Sequence, residues 1–134
     1  MMDAIIKDKL SLRCSSGIEK DQNNIFLSAT MTGNLQLLRL EHIGYFRYSS
    51  RNRQWEAVLS NQRSLMLKRS TNSQMILSYH PYFIQISQSF IVNVEYLVLI
   101  RDNKCVLLSP FDRVEDLQIS APFLKKLKEK YPSI

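Results

Sequence analysis

The chain reads as a mostly β protein. Short runs of β-branched and aromatic residues recur from Ile25 to Ile119, and turn-forming residues separate them at close intervals. Helical character is confined to two stretches, residues 69–79 and 121–130. At 134 residues the chain has the length of one domain and can bury a real core.

Residues 1–23 mix short apolar pieces with Ser15-Ser-Gly17 and Asp21-Gln-Asn-Asn24 and sustain neither period. They are expected to be an N-terminal arm or linker, with Ile5, Ile6, Leu10 and Leu12 as the only anchors, and the β-rich domain then occupies 24–134. The first hairpin runs from Ile25-Phe-Leu27 through a turn at Thr32-Gly-Asn34 to Leu35-Gln-Leu-Leu-Arg-Leu40. Glu41-His-Ile-Gly44 connects tightly into Tyr45-Phe-Arg-Tyr48, and the polar loop Ser49–Gln54 leads to a strand at Trp55–Leu59. In that strand Trp55, Ala57 and Leu59 share one face and Glu56 and Val58 the other. Asn61-Gln-Arg63 turns the chain back into Leu65-Met-Leu67.

Arg69–Tyr79 predicts a short helix, because Ser70 or Thr71 can cap its first turn and Met75, Ile76 and Tyr79 have the spacing of one buried face. Pro81 enforces its end. Strands follow at 83–86, 96–100, 105–108 and 114–119, with reversals at Asp102-Asn103 and Ser109–Asp112. The closing helix runs from Ala121 to Lys130, with Ser120 as cap, Pro122 tolerated in the first turn, and Phe123, Leu124 and Leu127 as its apolar stripe. Lys125, Lys126, Lys128 and Lys130 crowd this helix, either as a solvated terminus that suits the helix dipole or as contacts for phosphate.

The net charge of +6, from 18 Lys and Arg against 12 Asp and Glu, favours a polyanionic partner. Two distant cysteines, Cys14 and Cys105, offer neither a disulfide framework nor a metal cluster, and Cys105 reads as a buried or half-buried thiol in a strand, as in a reducing cytoplasm. No apolar run approaches the ~20 residues that span a bilayer, and the first residues lack a secretory pattern, so a cytoplasmic protein without membrane insertion is expected.

Catalytic chemistry finds no team. His42 and His80 sit in turns without a spaced Cys or acidic partner, so no metal site is expected. Gly17, Gly33 and Gly44 are too scattered for a phosphate-cradling loop, and no cofactor is expected. Glu115 and Asp116, neighbours in an expected strand, would point to opposite faces. The sequence therefore predicts no enzymatic activity.

Two polar segments carry binding chemistry instead. Arg51, Asn52, Arg53 and Gln54, with Arg47 nearby, supply guanidinium and amide groups of the kind that read guanine and adenine edges, although an ordinary polar turn has the same composition. Ser87-Gln88-Ser89 breaks two strand-forming runs, either as a bulge facing solvent or as a loop aimed at a ligand. Tyr45, Phe46, Tyr48 and Trp55 are core residues by their strand spacing, or else a stacking platform for single-stranded bases.

The segment Tyr82-Phe-Ile-Gln-Ile-Ser-Gln-Ser-Phe-Ile-Val-Asn-Val-Glu-Tyr-Leu97 resembles the LytTR family, the DNA-binding output domain of many bacterial response regulators. Leu38-Arg-Leu-Glu-His-Ile-Gly-Tyr-Phe46 is similar to the family's segment before its first reading loop, and Phe123-Leu-Lys-Lys-Leu127 to its terminal helix; the likeness spans roughly Ile25 to Tyr131. The resemblance implies an elongated β–β–β arrangement of about ten strands with short helices. It further implies that loops enter successive major grooves of double-stranded DNA, usually at paired direct repeats in promoters.

Carried over by position, Arg51, Asn52, Arg53 and Gln54 fall at the first reading loop. Ser87 and Gln88 fall at the second, supported by Ser89, with Phe90, Ile91, Val92 and Asn93 as scaffold. Ser87 stands where relatives often have histidine, and Ser120-Ala-Pro122 lacks the arginines common at the last contact, which leaves that contact absent, weakened, or replaced by Lys125 or Lys126. The expected function is sequence-specific DNA binding in transcription regulation, with a homodimer on DNA and a receiver domain or sensor kinase outside this chain as further partners. The residues outside the resemblance are too few for a receiver domain, so a fragment of a longer regulator and a stand-alone output domain are both open. A β-rich protein interaction module is the alternative.

Overall fold

The structure is a computed structural model and describes residues 24–29 and 32–134. Cys14 and the arm with Ile5, Ile6, Leu10 and Leu12 lie outside the described residues. The chain divides into two compact units, residues 1–40 and 41–134.

In the first unit, β1 (Ile25–Ala29) and β2 (Leu35–Arg39) pair antiparallel. Gly33 takes a φ of 90° in the turn between them, a conformation that costs glycine little. The Leu40 N–H donates to the Asn24 carbonyl at 2.8 Å and closes the open end of the hairpin.

The second unit contains β3 (Ile43–Ser49), β4 (Gln54–Leu59), β5 (Ser64–Met66), α1 (Ser73–Tyr79), β6 (Phe83–Ser87), β7 (Phe90–Asn93), β8 (Leu97–Arg101), β9 (Lys104–Leu107) and α2 (Ala121–Lys130). Five of its strands form one antiparallel sheet in the order β5-β4-β3-β7-β6, while β8 and β9 make a separate hairpin. Asp102 and Asn103 turn that hairpin with φ of 52° and 63°, the left-handed pair that a two-residue connection demands. The described residues thus form a mostly β fold, as expected.

Strand alternation explains how this sheet is buried on both sides. Tyr45 pairs with Val58 on β4 and Val92 on β7, whereas Phe46 pairs with Ala57 and Ile91, and all six are buried. The Tyr45 side packs with Ile86, Cys105, Leu107, Phe111, Leu117 and Ile119, and α2 adds Phe123, Leu124 and Leu127 to that core. On the other side Phe46 meets Phe83 edge-on at 4.9 Å between centroids, and α1 lies against β6 with Ile76 fully buried.

Two polar devices lock the centre. Asn93 is wholly buried, and its Nδ2 donates to the Ile43 carbonyl at 2.9 Å while its Oδ1 accepts from the Glu95 N–H at 3.0 Å. The Tyr96 hydroxyl donates to the Glu41 carbonyl.

Several sequence expectations need correction. The first helix starts at Ser73 rather than Arg69, because Asn72 is the cap, its Oδ1 accepting from the Met75 N–H at 2.9 Å, while Thr71 closes a turn onto the Lys68 carbonyl. In so short a helix only Ile76 is buried, and Met75 and Tyr79 remain 39% and 42% exposed. Residues 114–119 are not a strand. The alternating burial of Leu117 and Ile119 is present, but the backbone touches β9 through one bridge, Lys104 with Gln118, and through single bonds such as Cys105 N–H to the Leu117 carbonyl. Glu115 and Asp116 are therefore both exposed on irregular chain. His80, read from sequence only as a turn residue, is also buried; its Nδ1 accepts from the Tyr82 N–H at 3.0 Å, and desolvation holds its pKa below the usual imidazole value.

Gly44 lies directly under the buried ring of Phe111, which meets Tyr45 and Tyr96 edge-on, and a Cβ there would overlap that ring. Gly44→Ala is expected to lower stability by about 1–3 kcal/mol in urea titration, since the buried ring would have to shift from its edge-on contacts with Tyr45 and Tyr96. Burial raises the Cys105 thiol from 9.0 to about 11. The unfolded chain loses this proton first, so folding stability should fall as pH rises from about 9 to about 11, and Cys105→Ala should flatten that part of the pH profile of the urea midpoint.

Candidate nucleic-acid interface

The loop joining β3 to β4 is held by its own short side chains and by one long one from outside. The Ser49 Oγ accepts from the Asn52 N–H at 3.3 Å, and Arg53 follows with a φ of 54°, in the left-handed region where a non-glycine residue costs about 1–3 kcal/mol. From the segment after β5, Arg69 Nη1 donates to the Asn52 carbonyl at 3.0 Å, and Gln54 Nε2 donates to the Leu67 carbonyl at 3.0 Å. Arg51, Asn52 and Arg53 are exposed, whereas Gln54 is half-buried. The amide nitrogen of Gln54 thus anchors the loop, and its oxygen remains the group able to accept a bond from a ligand.

The turn joining β6 to β7 is tighter. Ser87 faces Phe90 across a register shift, the Ser87 Oγ accepts from the Ser89 N–H at 3.2 Å, and Gln85 Nε2 donates to the Ser87 carbonyl at 3.0 Å. These bonds shape the turn from within and leave Gln88 as its exposed tip.

Both connections emerge from the same end of the five-stranded sheet. β3 and β7 are antiparallel neighbours, so the end of β3 lies beside the start of β7, and the Tyr48 N–H donates to the Ser89 carbonyl at 2.8 Å. In the order β5-β4-β3-β7-β6 the two connections are centred two strand spacings apart, about 10 Å. The third element reaches this end too, because the Ser120 N–H donates to the Ile86 carbonyl at 2.9 Å and so sets the start of α2 beside the end of β6.

α2 then runs back along β6, and Lys130 Nζ donates to the Pro81 carbonyl at 2.6 Å near the other end. Lys125 and Lys126 are exposed about 6–8 Å into the helix at 1.5 Å per residue, and the Lys126 ammonium lies 5.5 Å from the Phe123 ring centroid. Ser120 occupies the cap position, but its hydroxyl makes no capping bond, since Pro122 removes one of the amides it would serve.

Of the residues singled out from sequence, Arg51, Asn52, Arg53, Gln54, Ser87, Gln88 and Ser89 therefore gather at one sheet end, with Lys125 and Lys126 set back along α2. Neither connection carries an acidic side chain, nor does the first turn of the helix. Arg47 does not join them: its Nε pairs with Glu56 at 3.1 Å on the sheet face, a contact that also raises its pKa. Tyr45, Phe46 and Trp55 are buried and only Tyr48 is 38% exposed, so these aromatics serve the core rather than a stacking platform. On the Arg47 side an open cleft of about 560 Å³ is lined by Gln62, Ser64, Asp112 and Arg113, among others. Among the described residues no group of three or more His, Cys, Asp or Glu could hold a metal ion, and no helix is long and apolar enough to cross a membrane.

Sequence reasoning missed two contributors. Arg69 lies 17 positions from the Asn52 carbonyl that it holds, and no local pattern reports such a contact. The β8–β9 turn, flanked by Arg101 and Lys104, is tied to the segment just before α2, because the Ile119 N–H donates to the Asn103 carbonyl at 2.9 Å.

Comparison with known proteins bears on the family and the fold. The family model described as the LytTr DNA-binding domain matches residues 33–131. A solved structure, the LytTr DNA-binding domain of a methyl-accepting/DNA response regulator from Bacillus cereus, superimposes with a TM-score of 0.55 at 17% identity, covering 79% of this chain and 94% of that one. No curated protein matches.

Arg69→Ala should free the loop without unfolding the sheet. Losing one charge-assisted bond at an exposed site costs about 1 kcal/mol, so amide exchange within residues 49–54 should accelerate roughly five-fold while that of 83–93 stays unchanged.

Proposed function

The chain belongs to the LytTR family of DNA-binding domains, whose match covers residues 33–131, and from that membership we propose that it binds double-stranded DNA sequence-specifically in the regulation of transcription. The observation that carries this reading is the Tyr48 to Ser89 backbone bond, which ties two acid-free polar connections to one end of a sheet buried on both faces. Their bases stand about 10 Å apart, comparable with the ~12 Å width of the major groove, so both can reach one duplex.

The roles divide by chemistry. Arg53 and Gln88 are the base readers: one presents a guanidinium from a strained and braced loop, the other an amide from the tip of a braced turn. Arg51, Asn52 and the free oxygen of Gln54 complete the first loop, while Ser87 and Ser89 shape the second and offer hydroxyls to phosphate oxygens. Lys125 and Lys126 contact phosphates along the helix and supply affinity rather than selectivity. The domain acts in the cytoplasm on promoter direct repeats, as the output of a bacterial response regulator coupled to a receiver domain and sensor kinase, or as a stand-alone regulator. It performs no catalysis of its own and needs no cofactor.

Selection from a random duplex library tests this directly, and an enriched motif is the expected result. In mobility-shift titrations on that motif, Arg53→Gly, chosen because glycine accepts the left-handed backbone, should cost about 1–3 kcal/mol and relax preference at one position. Lys125→Ala should instead weaken all sequences alike and reduce the salt slope by about 1. If Arg53→Gly combined with Gln88→Ala left both affinity and selectivity intact, the loop assignment would be wrong.

A further inference from the structure

The β1–β2 hairpin presents an apolar face that the DNA reading does not use. Its register sets Leu27 opposite Leu37, Ala29 opposite Leu35 and Ile25 opposite Arg39, so these six side chains share one face. Leu35 is 71% exposed, Leu27 67%, Leu37 59% and Ile25 41%. The other face carries Phe26, Ser28, Gln36 and Leu38, all but Gln36 half-buried or buried. Hydrophobic alternation is therefore inverted, with more large aliphatic side chains facing water than facing inward. The four exposed side chains offer roughly 450 Å² of apolar surface, within the range of the largest patches on monomers, which are often functional.

We propose that this face takes a second copy of the same chain. An antiparallel register has a local two-fold relation, here centred near the Leu27–Leu37 pair, so a copy turned by 180° lays leucine on leucine across an isologous contact. The area fits a weak homodimer: two such faces bury about 900 Å², in the class below ~1,200 Å² that forms transient complexes, with dissociation constants on the order of tens to hundreds of micromolar. Charge points the same way, because Arg39 at one end is the single charged residue among the six, and a charged partner would find no row to pair with. Arg39 is also what two identical faces must accommodate, and salt screens it.

Sedimentation equilibrium of the full chain from about 10 to 500 µM without DNA tests the surface independently of DNA reading. The expected result is a monomer–dimer equilibrium that strengthens with added sodium chloride, whereas DNA binding weakens with salt. Amide shifts that move with concentration should cluster in residues 25–39. Leu27→Ser combined with Leu37→Ser should weaken the dimer at least ten-fold, and Leu35→Gln, near the hairpin turn, should do so in part should the double variant disturb the hairpin. A chain that stays monomeric throughout, concentration-dependent shifts that map elsewhere, or an association indifferent to all three substitutions would overturn the proposal. So would nuclear Overhauser contacts within a monomer from Ile5, Ile6, Leu10 or Leu12 to Leu27, since the chain's own first residues would then occupy the face.

Discussion

The antiparallel pairing of β3 with β7 is the constraint on which the rest depends. It joins segments more than forty residues apart, through Tyr45 with Val92, Phe46 with Ile91 and Arg47 with Phe90, and it places the hairpins β3–β4 and β6–β7 side by side. The buried Asn93 secures one end of this pairing through the Ile43 carbonyl, and the Tyr48 to Ser89 bond secures the other. A slip of one residue would send Tyr45 and Phe46 to each other's faces, and both faces are packed too differently to accept the exchange. The pairing therefore fixes which connections emerge together.

Burial on both faces leaves the ends of the sheet as the surfaces available for a large ligand. The Tyr45 side is closed by the β8–β9 hairpin, by Phe111 seated over Gly44, and by α2, while α1 lies along the other side. A single-strand binder needs an open sheet with aromatics facing outward. Here Tyr45, Phe46 and Trp55 are spent on the core, which leaves the polar connections at the sheet end as the groups proposed to bind.

Much of this was legible from local pattern. The strand runs, the Asp102-Asn103 turn, the closing helix with its Phe123, Leu124 and Leu127 stripe, and both polar connections follow from residue type and spacing. What escaped was decided by tertiary contact or by competition between neighbours. Asn72 took the cap from Ser70 and Thr71 because the chain was already turning from Lys68 to Thr71. Leu117 and Ile119 alternate as in a strand, yet their burial comes from docking onto β9 rather than from a ladder. The Arg69 clasp and the coincidence of three elements at one sheet end depend on pairings that no window of sequence contains.

The two connections also differ in how their shape is maintained, and this bears on how each could read DNA. Ser87 accepts the Ser89 N–H within its own turn, and Gln88 stands exposed at the tip. The β3–β4 loop also has an internal bond, from the Asn52 N–H to the Ser49 Oγ, but the strained Arg53 follows it, and Arg69 and Gln54 hold the loop from outside. One connection is thus held by bonds within its turn and from the adjoining strands, through Gln85 and Tyr48, and the other also by bonds from more distant sequence. Under the proposed roles, substitutions at Gln88 would change selection with little effect on the fold, whereas the Arg53 loop would depend on the integrity of the segment that carries Arg69.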